Sequence, residues 1–256
     1  MYMINEVLES DIRSQAYLSV PVIFQDYICL IYPLSILEVI KLGQEKFQYY
    51  LNLLTLSEYE VQNIMKEKGQ ELDIEMTPLK YLLRSAAFNE MFLLDVKQAF
   101  FTFIREKVTF LFEENKILIG SDASEKRFIS EENFNEFQNI LRIQNHLQIK
   151  EKPPEDETEM AKKFRLKREM VEAVKKKINS NTEESPDLDD LISSLCAYGI
   201  GITPFNVGNL SIYAFYDLFE RRSYKDSYEL DIKSLLAGAD SKKIKPKYWV
   251  RKMKKS

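Results

Sequence analysis

The sequence predicts a mainly α-helical protein, and three observations carry that expectation. Glycine and proline are scarce, at 7 and 8 residues, in a chain of 256 that is rich in Leu, Ile, Glu and Lys. Helix interiors favour the common residues here and exclude the rare ones. Helix-start signatures recur, each a Ser or Thr followed by an apolar-periodic run. Apolar residues then fall at i, i+3, i+4 and i+7, the spacing of one buried helix face. Hydrophobic residues make up 45% and charged residues 30%, a balance that supports a packed core and not a disordered chain.

The elements follow in order. Tyr17–Phe24 and Tyr27–Ile31 are β-branched and aromatic with Pro21 between them, which suits short edge strands or an extended arm. Ser35-Ile36-Leu37-Glu38 has the form of a capping box, so a helix is expected from there to about Tyr50. Ser57-Glu58-Tyr59-Glu60 repeats the signal, with Gly69 as its stop. Thr77-Pro78 places proline at a first helical position, and the helical pattern then runs to Glu106 with a break near Asn89. Val108–Phe112 and Ile117–Ile119 flank Glu-Glu-Asn-Lys as a hairpin, and Arg127–Ile129 adds a third short strand. Ser130 then caps a helix whose Phe134, Phe137, Ile140 and Leu141 face one way.

Composition changes at Lys150. Pro153-Pro154 and a cluster of acids mark a linker. The next stretch reads as a charged helix in which Phe164 and Val171 belong to an apolar stripe too narrow for a globular core. Such a helix suits a partner's groove, a coiled coil or a solvent-bridging tether. Asn179 to Pro186 is a second linker. Beyond it, Leu188, Leu191, Ile192 and Leu195 form an apolar face behind an Asp-rich start. Gly199-Ile200-Gly201 turns the chain, and an aromatic helix with Tyr213, Phe215, Tyr216 and Phe219 follows. The expected organisation is a helical N-terminal domain with a small hairpin over 1–149, a charged tether over 150–186, and a small helical module with a basic tail over 187–256.

Several function classes lose support at this level. Cys29 and Cys196 are far apart in apolar runs, which reads as two small hydrophobes in a reducing compartment. The run from Tyr27 to Leu37 is about half of what a membrane span requires. The acidic N-terminus is unlike a signal peptide, so a cytoplasmic protein that binds no membrane is expected. The single histidine, His146, reads as a surface residue near a helix C-terminus, where positive charge is favoured. Two cysteines and one histidine make no zinc-ligand pattern, and no glycine-rich phosphate loop is present. Neither a cofactor nor a catalytic residue is expected. Asp187 with Asp231 and Lys233 matches a metal-nuclease motif in letters. That chemistry requires both acids at strand ends, whereas here one opens a helix and the others lie on a helical face.

Ser241–Ser256 holds eight Lys or Arg and no acid, with Tyr248 and the only tryptophan, Trp249, inside the run. An aromatic pair in a polar tail suits docking into a pocket. The same tail could take nucleic acid through Lys242, Lys243, Lys245, Lys247, Arg251 and Lys252, since basic residues interleaved with aromatics suit a single strand. Docking is the first expectation and nucleic acid the second.

The stretch DLDDLISSLCAYGIGITPFNVGNLSIYAFYDLFERRSYKDSYELDIKSLLAGADSKKIKPKYWVRKM resembles C-terminal regions of tail assembly chaperones from phages and prophages of Gram-positive bacteria. The resemblance lies in its acidic-led helix, Gly/Pro turn, Tyr/Phe-rich helix and closing basic Tyr-Trp tail. It implies a non-enzymatic adaptor in the bacterial cytoplasm that holds tape measure and tail tube proteins until they polymerise. Phe164, Val171, Tyr213, Tyr216, Tyr248 and Trp249 are the expected partner-binding residues, and a homo-oligomer is compatible with that role.

Overall fold

The computed structural model describes residues 2–25, 27–69, 75–120, 127–147, 187–198, 201–240 and 243–250. The expected linkers and tether helix, with Phe164 and Val171, lie outside these residues, as do Lys242, Arg251 and Lys252.

The chain is mainly α. Helix α1 spans Tyr2–Tyr17 and leads into an antiparallel pair, β1 (Val22–Phe24) and β2 (Cys29–Ile31), in register Val22 to Ile31. The strand expected from Tyr17 therefore shrinks to three residues, because the chain up to Tyr17 is helical. Helix α2 covers Ile36–Leu42. The Ser35 N–H donates to Glu38 Oε2 at 2.8 Å, and the Glu38 N–H returns to Ser35 Oγ at 3.2 Å. The helix expected to reach Tyr50 is broken at Gly43, whose φ of 92° suits glycine far better than any residue with a Cβ. Helix α3 (Gln44–Thr55) restarts there, and α4 (Glu58–Glu67) follows the Ser57 box and ends just before Gly69.

Helices α5 (Pro78–Phe88) and α6 (Glu90–Ile104) meet at Asn89, whose side chain accepts from the Phe92 N–H at 3.1 Å. Strands β3 (Val108–Leu111), β4 (Lys116–Ile119) and β5 (Phe128–Ile129) form an antiparallel sheet in that order. Gly120 closes β4 at φ 84°, and a Cβ there would stand 2.6 Å from the guanidinium of Arg127. Helix α7 spans Glu131–Gln144 and α8 spans Leu188–Ala197. A short 3-10 turn at Val207–Asn209 precedes α9, which runs unbroken from Ile212 to Leu236.

The core is aromatic at its centre. Phe137 of α7 stacks on Phe100 of α6 at 5.5 Å between centroids and meets Phe24 of β1 edge-on at 5.8 Å. Burying such a ring contributes about 1.5–3 kcal/mol, with up to ~1.5 kcal/mol from the ring pairing itself.

The described residues from 187 onward join this same core. Leu188, Leu195, Val207, Ile212 and Phe215 are buried in one cluster with Ile12, Phe24 and Phe137. An antiparallel bridge sews the parts together at Ser35 and Ser211. The Ile36 N–H donates to Leu210 O and the Ile212 N–H to Leu34 O, each at 2.9 Å. Ser211, fully buried, adds a hydroxyl hydrogen bond to Ala16 O at 2.6 Å while accepting from the Ala214 N–H at 3.0 Å. One side chain thus caps α9 and adds a second donor to the Ala16 carbonyl at the end of α1, which also accepts from the Ser19 N–H at 3.2 Å.

Candidate functional site

The chemistry-bearing residues are dispersed. Asp187 caps α8 by accepting from the Asp190 N–H at 2.9 Å, while Asp231 and Lys233 lie near the end of α9. None of the three stands at a strand end. Among the described residues, no group of three or more His, Cys, Asp and Glu is placed to hold a metal ion. Cys29 is buried in β2, and burial, assisted by the charge of Glu106, pushes its thiol up to about 12, the opposite of a reactive thiolate. Among the described residues, no helix is long and apolar enough to cross a membrane.

His146 departs from the surface expectation. It follows the α7 C-cap in a left-handed conformation (φ 54°), and its ring lies 4.2 Å from that of Tyr213 on α9. Its Nε2 is sealed from solvent without a well-formed hydrogen bond. Burial holds the imidazole below its ordinary value of 6.5, against a smaller opposing pull from Asp217, Glu220 and the Tyr213 backbone. The α7 side of this contact was legible as a helix end. Its α9 partner was not, because the two residues lie far apart in sequence.

Two surface features bring large groups to solvent on rigid supports. The first is a stripe on α6. Its buried face carries Val96, Ala99, Phe100 and Phe103, so the helix is fixed from below. Its outer face shows Met91 at 70% exposure, Leu94 at 53% and Phe101 at 44%, with Gln98 between them. The spacing i, i+3, i+7, i+10 is that of a helix-pairing seam. Phe88, at the elbow with α5, extends it. The sequence marks a helix here without separating its faces, since apolar periodicity does not say which of two apolar faces is covered.

The second feature is a fixed aromatic. Thr203-Pro204-Phe205-Asn206 is a tight turn in which the Asn206 N–H donates to Thr203 O at 3.1 Å, and Asn206 Oδ1 accepts from the Thr203 N–H at 2.7 Å. The Asn206 amide also donates to Gly201 O at 2.8 Å. This turn holds Phe205 at 96% exposure. An ordered apolar group in water loses little further entropy on contact, which is the property of a binding anchor.

A cleft of about 360 Å³ lies where α3 and α4 meet α7. Thr55, Ser57, Glu60 and Arg142 are among its walls. Arg142 is buried and donates to Thr55 O and to the Gln138 and Asn139 side chains, which accounts for its position structurally.

Of the expected partner-binding residues, Tyr213 is half-buried against His146 and Tyr216 is more open. Phe215 between them belongs to the core. Tyr248 meets Tyr228 of α9 edge-on at 5.7 Å, and Trp249, partly buried, lies under Lys225 with Nζ 6.0 Å from its ring. The tail over 243–250 is therefore laid along α9.

Residues 175–254 match the family model described as the YomV second domain, a phage/prophage-type family. The match takes in α8, the 3-10 turn, α9 and the tail, under a third of the chain. No curated protein and no solved structure matches.

Proposed function

We propose that this protein is a non-enzymatic assembly chaperone or adaptor of a phage tail, acting in the bacterial cytoplasm. On this reading it binds tape measure and tail tube proteins and keeps them apart until they polymerise. The observation that carries it is the exposed seam of Met91, Leu94 and Phe101 on a helix whose opposite face is locked in the core. A protein that holds long amphipathic helices in solution requires apolar contact surface on a rigid support, because the helices' own apolar faces aggregate. The turn-held Phe205 supplies a second contact of the same kind. The phage-type match at the C-terminal part supports the biological setting.

Co-expression with a phage tape measure protein tests the reading. The wild-type chain keeps that protein in the soluble fraction and co-purifies with it. Met91→Glu with Leu94→Glu replaces two solvent-facing side chains without touching the core. Each apolar side chain buried at the interface contributes about 2 kcal/mol, so the pair weakens capture by ~100-fold or more. A tape measure protein that stays insoluble beside the wild-type chain, or is captured equally by the variant, overturns the reading.

A further inference from the structure

Charge is divided unevenly along the chain. Residues 211–256 carry 12 Lys or Arg against 6 Asp or Glu, although the whole chain has a net charge of −4. Within this region the cations of α9 are largely spent. Arg221 pairs with Asp217 at 2.7 Å, Arg222 with Asp226 at 3.0 Å, and Lys225 with Glu229 at 3.7 Å. The cations of the tail are not. Lys243, Lys245 and Lys247 make no ion pair with any described residue.

The tail is also ordered in a particular way. Its start is a turn in which the Lys243 and Ile244 N–H groups donate to Asp240 O at 2.9 and 3.1 Å. Its end is held by Tyr248 against Tyr228 and Trp249 under Lys225. Between these points exposure alternates: Lys243, Lys245 and Lys247 are exposed, whereas Ile244 and Pro246 are partly covered. Three ammonium groups thus stand on one side of a non-helical strap, the Cα atoms of neighbouring lysines, two residues apart, separated by at most about 7 Å. Tyr248, next to Lys247, keeps 59% of its surface open although one edge of it meets Tyr228.

A row of unpaired cations ending in an exposed aromatic is the composition that grips a single nucleic-acid strand: lysines neutralise phosphates, and a ring takes a base by stacking. An acidic polypeptide would use the lysines and leave the tyrosine idle. We propose that the strap over 243–250 is a binding site for single-stranded nucleic acid, with Lys243, Lys245 and Lys247 on phosphates and Tyr248 under a base. This activity is independent of the apolar seam on α6 and of the chaperone reading. The aromatic contacts to α9 fix the strap, so that the lysines are presented and not averaged over a free tail.

The test is an anisotropy titration of the full chain with a short fluorescein-labelled oligothymidylate at several salt concentrations. The wild-type chain binds at low salt and weakens as salt rises. Lys243→Gln, Lys245→Gln and Lys247→Gln together lower the affinity on the order of tenfold and reduce the steepness of the log–log salt plot by about 2, near 0.7 for each phosphate no longer neutralised. Tyr248→Phe binds as wild type, because the ring is kept; Tyr248→Ala weakens binding while leaving both the salt slope and the Trp249 emission unchanged, so that the loss is of a base contact and not of the strap's seat. Trp249 emission identical in the triple variant and the wild type shows that the strap is still seated. Three results overturn the proposal. They are no binding at low salt, a triple variant with wild-type affinity and slope, or polyglutamate displacing the labelled strand as well as unlabelled oligothymidylate does. The last would assign the strap to an acidic polypeptide.

Discussion

Arg142 on α7 donates to the carbonyl of Thr55, the last residue of α3, across 2.8 Å and 87 positions of sequence. Gln138, one turn earlier, donates from Nε2 to Leu54 O at 3.0 Å and to Leu56 O at 2.9 Å. The end of α3 is thus capped by another helix. Its free carbonyls meet a buried cation, the charge that the negative end of a helix dipole favours.

Removing that cation exposes its worth. Arg142→Met keeps volume and apolar stem but leaves Thr55 O buried without its donor. A hydrogen bond from a charged group contributes about 1.5–3 kcal/mol, and a loss of that size is expected in urea unfolding. Gln138→Leu should cost a similar amount for its two carbonyls. A change in midpoint too small to measure for both variants would show that α3 ends on water instead.

Ser211 is the tighter joint. Ser211→Ala removes both the α9 cap and the bond to Ala16 O at a fully buried position. The expected cost is about 1–2 kcal/mol, from a lost cap and one lost hydrogen bond to a carbonyl that keeps the Ser19 N–H as partner. Ser211→Thr keeps the hydroxyl but adds a methyl at a fully buried position, so it should fall between the two. Thermal unfolding of the three proteins at one pH orders them.

His146 makes stability depend on pH. Burial lowers its folded-state value below the ordinary 6.5, so the unfolded chain binds the proton more readily. Its contribution is fully present above about pH 6.5 and is lost as pH falls toward the folded-state value. His146→Phe keeps a ring against Tyr213 and removes the titration. Urea midpoints measured between neutral and mildly acidic pH should fall for the wild type and fall less for the variant. Parallel curves would remove His146 from the acid response.

Trp249 reports the strap. As the sole indole, partly buried under Lys225, it should emit to the blue of free tryptophan in the isolated protein. Tyr228→Ala removes the ring that Tyr248 meets edge-on and should shift that emission to the red. An emission maximum unchanged by Tyr228→Ala would show that Trp249 is held by something other than this aromatic contact.

What the sequence revealed and what it concealed divide by range. Ser35, Ser57, Thr77 and Ser130 mark helix starts within a residue because capping is settled by neighbours three positions away. The hairpin at 108–119 was equally local. Gly43 broke a helix that periodicity alone carried through, since the apolar spacing continues in phase across it. Helix α1 was missed because it announces itself with no cap and buries only Ile12 and Ala16 among its described side chains. The candidate surfaces were half legible. The tail stood out by composition, but the α6 seam did not, since Met91 and Leu94 look like core residues until the other face of the helix is seen to be buried. The contacts of Ser211 with Ala16 and of His146 with Tyr213 depend on the path of the whole chain and leave no local mark.

The bond from Ser211 to Ala16 spans 195 positions, and this sets the order in which the protein can mature on the ribosome. Everything from α1 to α7 leaves the exit tunnel before the strand that closes against Ser35 has been made. At bacterial elongation rates of about 5–20 residues per second, the nascent N-terminal part waits several seconds with the surface that will receive Phe215 and Ile212 uncovered. The final step of folding is therefore a late, long-range closure. It cannot begin until residue 211 has been made, so chains arrested earlier are expected to leave uncovered the apolar surface that Ile212 and Phe215 bury.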